Sequence, residues 1–180
     1  MKSMKRSILK RHPSLQPLSR DHGIGLVCAQ HGHKAVRASE HDRLRLAEQI
    51  RAASRDVILS YLEDEQRVLS PVIADETLRA EFQQHHNSVR KLINELDQLE
   101  PGIDPGLGLM ASVASSLDAY VRWEENSLFP ALEQTLNPDA LNKLSGLTAS
   151  IEAGRSRPTQ LLHGSIALEK PTGLPEPCIV

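Results

Sequence analysis

The sequence predicts an all-α fold: an antiparallel up-down bundle of four long helices. Three observations predict it. The 180 residues contain only five aromatic rings, Tyr61, Phe82, Tyr120, Trp123 and Phe129, so Leu, Ala and Val must fill the core; that composition suits packed helices better than sheets. Apolar residues recur at steps of three and four along extended stretches, the period of an amphipathic helix. Proline and glycine separate the stretches most clearly at Pro101-Gly102-Ile103-Asp104-Pro105-Gly106, a strong break signal.

The elements follow in order. Residues 1–16 are basic and carry Pro13, and are expected to form a flexible arm. The first helix is expected after Ser19, a good N-cap with Asp21 in the first turn, and to end near Val36; Gly23, Gly25 and Gly32 weaken it. A second helix is expected from Glu40 to Ser70, capped by Ser39, with Leu44, Ala47, Ile50, Ser54, Val57, Tyr61, Glu65 and Val68 facing inward. Pro71 ends it. A third helix, Glu76 to Leu99, has Asp75 as N-cap and Leu78, Phe82, His86, Val89, Ile93 and Leu96 as its stripe. A fourth, Leu107 to Leu136, buries Val113, Leu117, Tyr120, Glu124 and Leu128, with Pro130 kinking its last turns. A short helix from Asp139 to Ile151 follows. The bundle therefore spans 17–153, and the proline-containing stretch 154–180 is expected to be an irregular tail.

Charge and composition exclude several function classes. Twenty-one basic residues against 23 acidic ones give a net charge of −2, which offers nucleic acid no electrostatic footprint. No run approaches the roughly 20 apolar residues of a membrane span. Cys28 and Cys178 lie far apart, so neither a disulfide framework nor a CxxC metal knuckle is present. The basic start lacks an apolar signal region. The expectation is a soluble, reduced, cytoplasmic protein, a monomer or homodimer.

The chain also repeats itself. Ser60-Tyr-Leu-Glu-Asp-Glu-Gln-Arg-Val-Leu-Ser-Pro71 aligns with Ala119-Tyr-Val-Arg-Trp-Glu-Glu-Asn-Ser-Leu-Phe-Pro130 at a constant offset of 59 residues. Tyr61 matches Tyr120, and Glu65 matches Glu124. His22 and His86 stand 64 residues apart in the preceding helices. The sequence is thus a helical hairpin used twice: a histidine-bearing helix, then a Tyr-x-x-x-Glu helix. Residues at i and i+4 share a helix face, so each tyrosine points the same way as its glutamate, on the apolar stripe. A carboxylate there is costly unless paired or bound to a metal. Two such carboxylates, with histidines from the other two helices, have the form of a dinuclear site in a bundle core.

Leu18-Ser-Arg-Asp-His22, His86-Asn-Ser-Val-Arg90 and Tyr120-Val-Arg-Trp-Glu-Glu-Asn-Ser-Leu-Phe-Pro130 resemble the hemerythrin-like (HHE cation-binding) family over residues 17–136. The resemblance implies a four-helix bundle holding a non-haem di-iron centre. It implies His22 and His86 as ligands from the first and third helices, and Glu65 and Glu124 as bridging carboxylates. Tyr61 and Tyr120 stand where the family pattern has histidine. A deprotonated phenol can bind iron beside a strong Lewis acid, and this hard anionic donor favours the ferric state. The expected ligand set is His22, Tyr61, Glu65, His86, Tyr120 and Glu124, holding two iron ions, with manganese or zinc as alternatives. Such a centre suits peroxide disproportionation or an oxidase reaction with a reductant partner better than reversible O2 carriage. The other readings are a non-catalytic iron or oxygen sensor and a metal-free helical interaction module.

The remaining candidates have plainer roles. Glu63, Asp64 and Glu125 are expected on a solvated face, linked to Arg67 and Arg122. His12, His31, His33, His41 and His163 are expected to face solvent, and His85 to sit at the surface or beside the ligands. Trp123 and Phe129 should pack between helices, Arg90 at the rim, and Cys28 as a small buried apolar residue.

Overall fold

The computed structural model describes residues 11–154 and is all-helical, with no strand among the described residues. Residues 1–10 of the expected arm and 155–180 of the expected tail, with His163 and Cys178, lie outside the described residues.

The first helix, Gln16–Ala35, begins three residues before the predicted cap. Pro17 suits the first turn because its missing N–H would have no intrahelical partner there, and Leu15 and Leu18 are both fully buried. Ser19 is therefore a helical residue, not a cap. Residues 11–15 also belong to the packed structure rather than to an arm: Arg11, Ser14 and Leu15 are buried, and the Ser14 carbonyl accepts the Thr148 hydroxyl at 3.0 Å. Basic composition at a chain end conceals this because one guanidinium can be drawn inside by an acid far along the sequence.

The second helix runs continuously over 40–69, as Glu40–Ala53, a π-helical turn Ser54–Ile58, and Leu59–Leu69. Ser39 caps it, its side chain accepting from the Asp42 amide. The π turn inserts extra residue length and rotates the face that follows. Accordingly Ile58 and Leu62 are buried while Val57 is only partly so. The third helix, Glu76–Asp97, is capped by Asp75 and buries Phe82, His86, Val89, Ile93 and Leu96.

The break before the fourth helix needs glycine at two places, because Gly102 and Gly106 have φ of 84° and 74°, a region that side chains disfavour. The Asp104 carboxylate closes this turn by accepting from the Gly106 amide at 2.8 Å and pairs with Arg43. The fourth helix covers 106–135, as Gly106–Trp123, a π-helical turn Glu124–Leu128, and Phe129–Thr135. A fifth, Pro138–Gly154, is longer than predicted and buries Leu141, Leu144, Thr148 and Ile151.

The first helix packs on the fourth and on the start of the second, the third packs on the fourth and second, and the fifth leans on the first and on Leu59–Leu69. A close approach is built in at Gly32, where an added Cβ would lie 2.7 Å from the Ala114 Cβ and 3.0 Å from the Met110 carbonyl. The weakness of glycine in a helix is here the condition for contact. Two apolar clusters fill the interior, one around Ile50, Leu62, Ile93 and Leu117 and one around Leu18, Leu69, Phe82 and Leu128.

Candidate metal centre

The six side chains singled out by the repeat lie together and are buried: His22, Tyr61, Glu65, His86, Tyr120 and Glu124. Glu65 and Glu124 are both 0% exposed, so neither turns out into water. The i, i+4 spacing places Tyr61 and Glu65 on the inner face of the second helix and Tyr120 and Glu124 on that of the fourth. The first and third helices deliver the histidines.

The six form one chain of polar contacts. His22 Nε2 lies 2.9 Å from Glu124 Oε2. The Tyr61 hydroxyl donates to Glu65 Oε1, with a long contact of 3.4 Å to Glu124 Oε2. The Tyr120 hydroxyl donates to Glu65 Oε2 and lies 3.2 Å from His86 Nε2. Both phenols thus meet on one carboxylate, Glu65, while the imidazole of His22 takes the other. Rings seal the ends: Phe129 stacks on His22 with centroids 5.5 Å apart, and Phe82 lies 4.1 Å from His86.

Burial sets the protonation. It opposes charge on His22, but the Glu124 and Glu125 carboxylates outweigh it and lift His22 to about 9. Burial likewise pushes the Glu124 carboxyl up, with the His22 hydrogen bond opposing it. A proton is therefore retained within this pair in the absence of a cation. Tyr61 is raised by burial first and then by the charges of Glu124 and Glu65. His86 behaves oppositely: burial, then Arg90 and His85, lowers it to about 3.

His22, Glu65 and Glu124 could hold a metal ion, since each offers a ligand atom and these atoms lie within 4.8 Å of one another. Two orphaned atoms bear on whether a cation fits. Glu124 Oε1 and His86 Nδ1 are buried without a hydrogen-bond partner. A buried carboxylate oxygen with no donor is costly, and a cation would satisfy one that stands among imidazoles and phenols. The donor set fits.

The sequence pattern places some neighbours wrongly. Glu125 is not on a solvated face with Arg67 and Arg122. Its Oε1 lies 2.7 Å from His22 Nδ1 and accepts from Ser19 Oγ at 2.5 Å, and its Oε2 takes Arg11 Nη2 at 2.8 Å. Arg67 pairs with Asp64 as expected, whereas Arg122 pairs with Asp118. A signal for this was available: a second acid directly follows the repeated glutamate, where the first hairpin has Gln66. His31 is buried rather than solvent-facing, with a pKa lowered by burial and then by Lys34 and Arg45. His33 and His41 are exposed, and His12 is partly buried against Ser14. His85 lies between the site and its edge, its ring tilted against Trp123 at 4.9 Å and Tyr120 at 6.2 Å. Arg90 is partly exposed beside Glu63, and Cys28 is buried with its thiol pushed up to about 12 by burial.

A cavity of about 20 Å³ opens between the first, second and fourth helices beside His22, Tyr61 and Tyr120, with Ile24, Ile58, Leu117 and Val121 among its walls. That is room for one water-sized molecule. No helix among the described residues is long and apolar enough to cross a membrane. Comparison with protein-family models, curated proteins and solved structures finds no match to this chain.

Proposed function

We propose that the chain is a hemerythrin-like, antiparallel four-helix bundle whose core holds two iron ions and which acts on O2, peroxide or a related reactive species. The observation that carries this reading is the burial of two carboxylates, two imidazoles and two phenols in one contact network, with Glu124 Oε1 left without a partner. The neighbour relations of the first four helices, each packed on two others, suit that bundle.

Bound iron supplies Lewis acidity and one-electron redox chemistry. The residues of the chain do the rest. Glu65 and Glu124, with His22, Tyr61, His86 and Tyr120, would hold the ions. The proton held by His22 and Glu124, and those on the phenols, must leave on metal uptake, so loading releases protons and strengthens as pH rises. Two phenolate oxygens favour ferric iron and disfavour reversible O2 carriage. The cavity beside His22, Tyr61 and Tyr120 has room for one water-sized molecule, the scale of O2 or peroxide rather than of an organic substrate. Peroxide disproportionation, or an oxidase reaction fed by a reductant partner, is the chemistry these residues suit best; manganese or zinc would also suit the carboxylate–imidazole set.

Elemental analysis and a visible spectrum of the purified protein test this. Iron with a phenolate charge-transfer band is the expected result. Tyr61→Phe with Tyr120→Phe should remove the band and leave the helical circular dichroism intact. Colourless protein that takes up no metal overturns the proposal and favours a metal-free interaction module. That second reading has its own support: His22 already answers Glu124, and both tyrosines answer Glu65. Coloured protein inert to peroxide, and to reductant plus O2, would point to a sensor.

A further inference from the structure

The segment preceding the first helix reaches the candidate centre through one carboxylate. Arg11 is only 6% exposed, although it lies outside every helix. Its guanidinium forks onto Glu125 Oε2, Nε at 3.0 Å and Nη2 at 2.8 Å, and Nη2 also reaches the Glu125 carbonyl. The other carboxylate oxygen, Oε1, is shared by Ser19 and His22 Nδ1. The same guanidinium lies 5.7 Å from the centroid of Phe129, the ring stacked on His22.

We propose that Glu125 is a positioning residue for the centre and Arg11 its anchor, together fixing the His22 imidazole so that Nε2 faces Glu124 and the ions. The consequence for metal rests on the function proposed above; the geometry does not. Phe129 fixes the plane of the ring but not which nitrogen faces inward. Glu125 holds the outer side of that choice as Glu124 holds the inner, because a ring turned over would lose the Nδ1 contact as well as the Nε2 contact. A lone carboxylate could swing toward water. Held by a two-pronged guanidinium contact and a serine hydroxyl, it cannot do so without breaking several charge-assisted bonds. A ligating histidine is commonly oriented in this way through its other nitrogen, and removing the orienting group typically weakens metal binding about 10–100-fold. His86 has no such support, since its Nδ1 has no partner, so the device acts on one end of the centre only.

Two measurements on the full chain test this. Anaerobic Fe(II) titration of wild type, Glu125→Gln and Arg11→Gln should show one of two binding steps weakened about 10–100-fold in both variants, with Arg11→Lys intermediate because an ammonium keeps the charge but not the fork. Long-range 1H–15N spectra of the metal-free protein should show a hydrogen-bonded His22 Nδ1–H that shifts or exchanges rapidly in both variants. Unchanged His22 ring signals in the two variants overturn the proposal, as does unchanged Fe(II) affinity in a wild type that binds iron. A lowered melting temperature with neither change would mark Arg11 and Glu125 as merely structural, and would also overturn it. A wild type that binds no Fe(II) defeats the metal reading alone, and the ring signals then decide the positioning role by themselves.

Discussion

His22 and His86 occupy matching places in the two halves of a repeated hairpin, yet their surroundings push them in opposite directions. His22 is gripped at both nitrogens by carboxylates and rises to about 9. His86 Nε2 lies 3.2 Å from the Tyr120 hydroxyl with Glu65 Oε2 at 3.7 Å, its Nδ1 has no hydrogen-bond partner, and burial lowers it to about 3. The helices, the spacing and the burial repeat; the electrostatics do not. The difference is carried at His22 by the carboxylates of Glu124 and then Glu125, the latter standing where the first hairpin has the neutral Gln66, and at His86 by burial, then Arg90 and His85. A repeated pattern can thus give two imidazoles different charge states when the carboxylates that reach them differ.

Breaking the stronger half should have the largest effect. In the metal-free protein, His22→Leu leaves Glu124 and Glu125 without their shared cation and should cost about 3–5 kcal/mol. His86→Leu removes a neutral group whose phenol partner keeps Glu65, and should cost no more than about 1 kcal/mol. Urea unfolding of the two variants compares them; equal losses would erase the asymmetry.

Stability of the metal-free protein against pH sharpens the same contrast. The pKa of His22 is raised, so its contribution is complete below the unfolded value near 6.5 and is lost as pH rises through about 9. That of His86 is lowered. Below pH 6.5 the unfolded chain binds a proton that the folded histidine refuses until about 3, so stability falls with acid. Glu125, held near 2, adds to the acid loss below its ordinary value of 4.5. Each histidine limb should slope by at most about 1.4 kcal/mol per pH unit. His22→Gln should flatten the alkaline limb and His86→Gln the acid limb; the reverse pattern would show that the two sites have been assigned the wrong way round.

Smaller effects lie further from the histidines. Tyr120→Phe takes one of two phenol donors from the buried Glu65 carboxylate, at about 1–3 kcal/mol by chemical denaturation. Ser39→Ala removes the cap of the second helix, at about 1 kcal/mol. The fourth helix has no side-chain cap at Pro105, so the corresponding loss has no equivalent in the other half.

Much of this architecture was legible in the chain. Asp75 and Ser39 cap the helices they were expected to cap because an N-cap is a local bond between residues three apart. Tyr61, Glu65, Tyr120 and Glu124 could be placed inward because a helix of known period fixes which residues share a face. Arg11 and Ser19 could not be placed, because their partner, Glu125, lies more than a hundred residues away. The π turns at Ser54–Ile58 and Glu124–Leu128 escaped a 3.6-residue period by their nature, which is why Ile58 rather than Val57 is buried.

The sequence by itself determined the helices, most of their inward stripes and the six polar residues on them, because each depends on neighbours within one or two turns. Only the tertiary structure decided how those six pair, which histidine carries the proton, and that Arg11 is part of the site. Those outcomes depend on distances between separate helices and on the water that packing excludes, and no local periodicity encodes either.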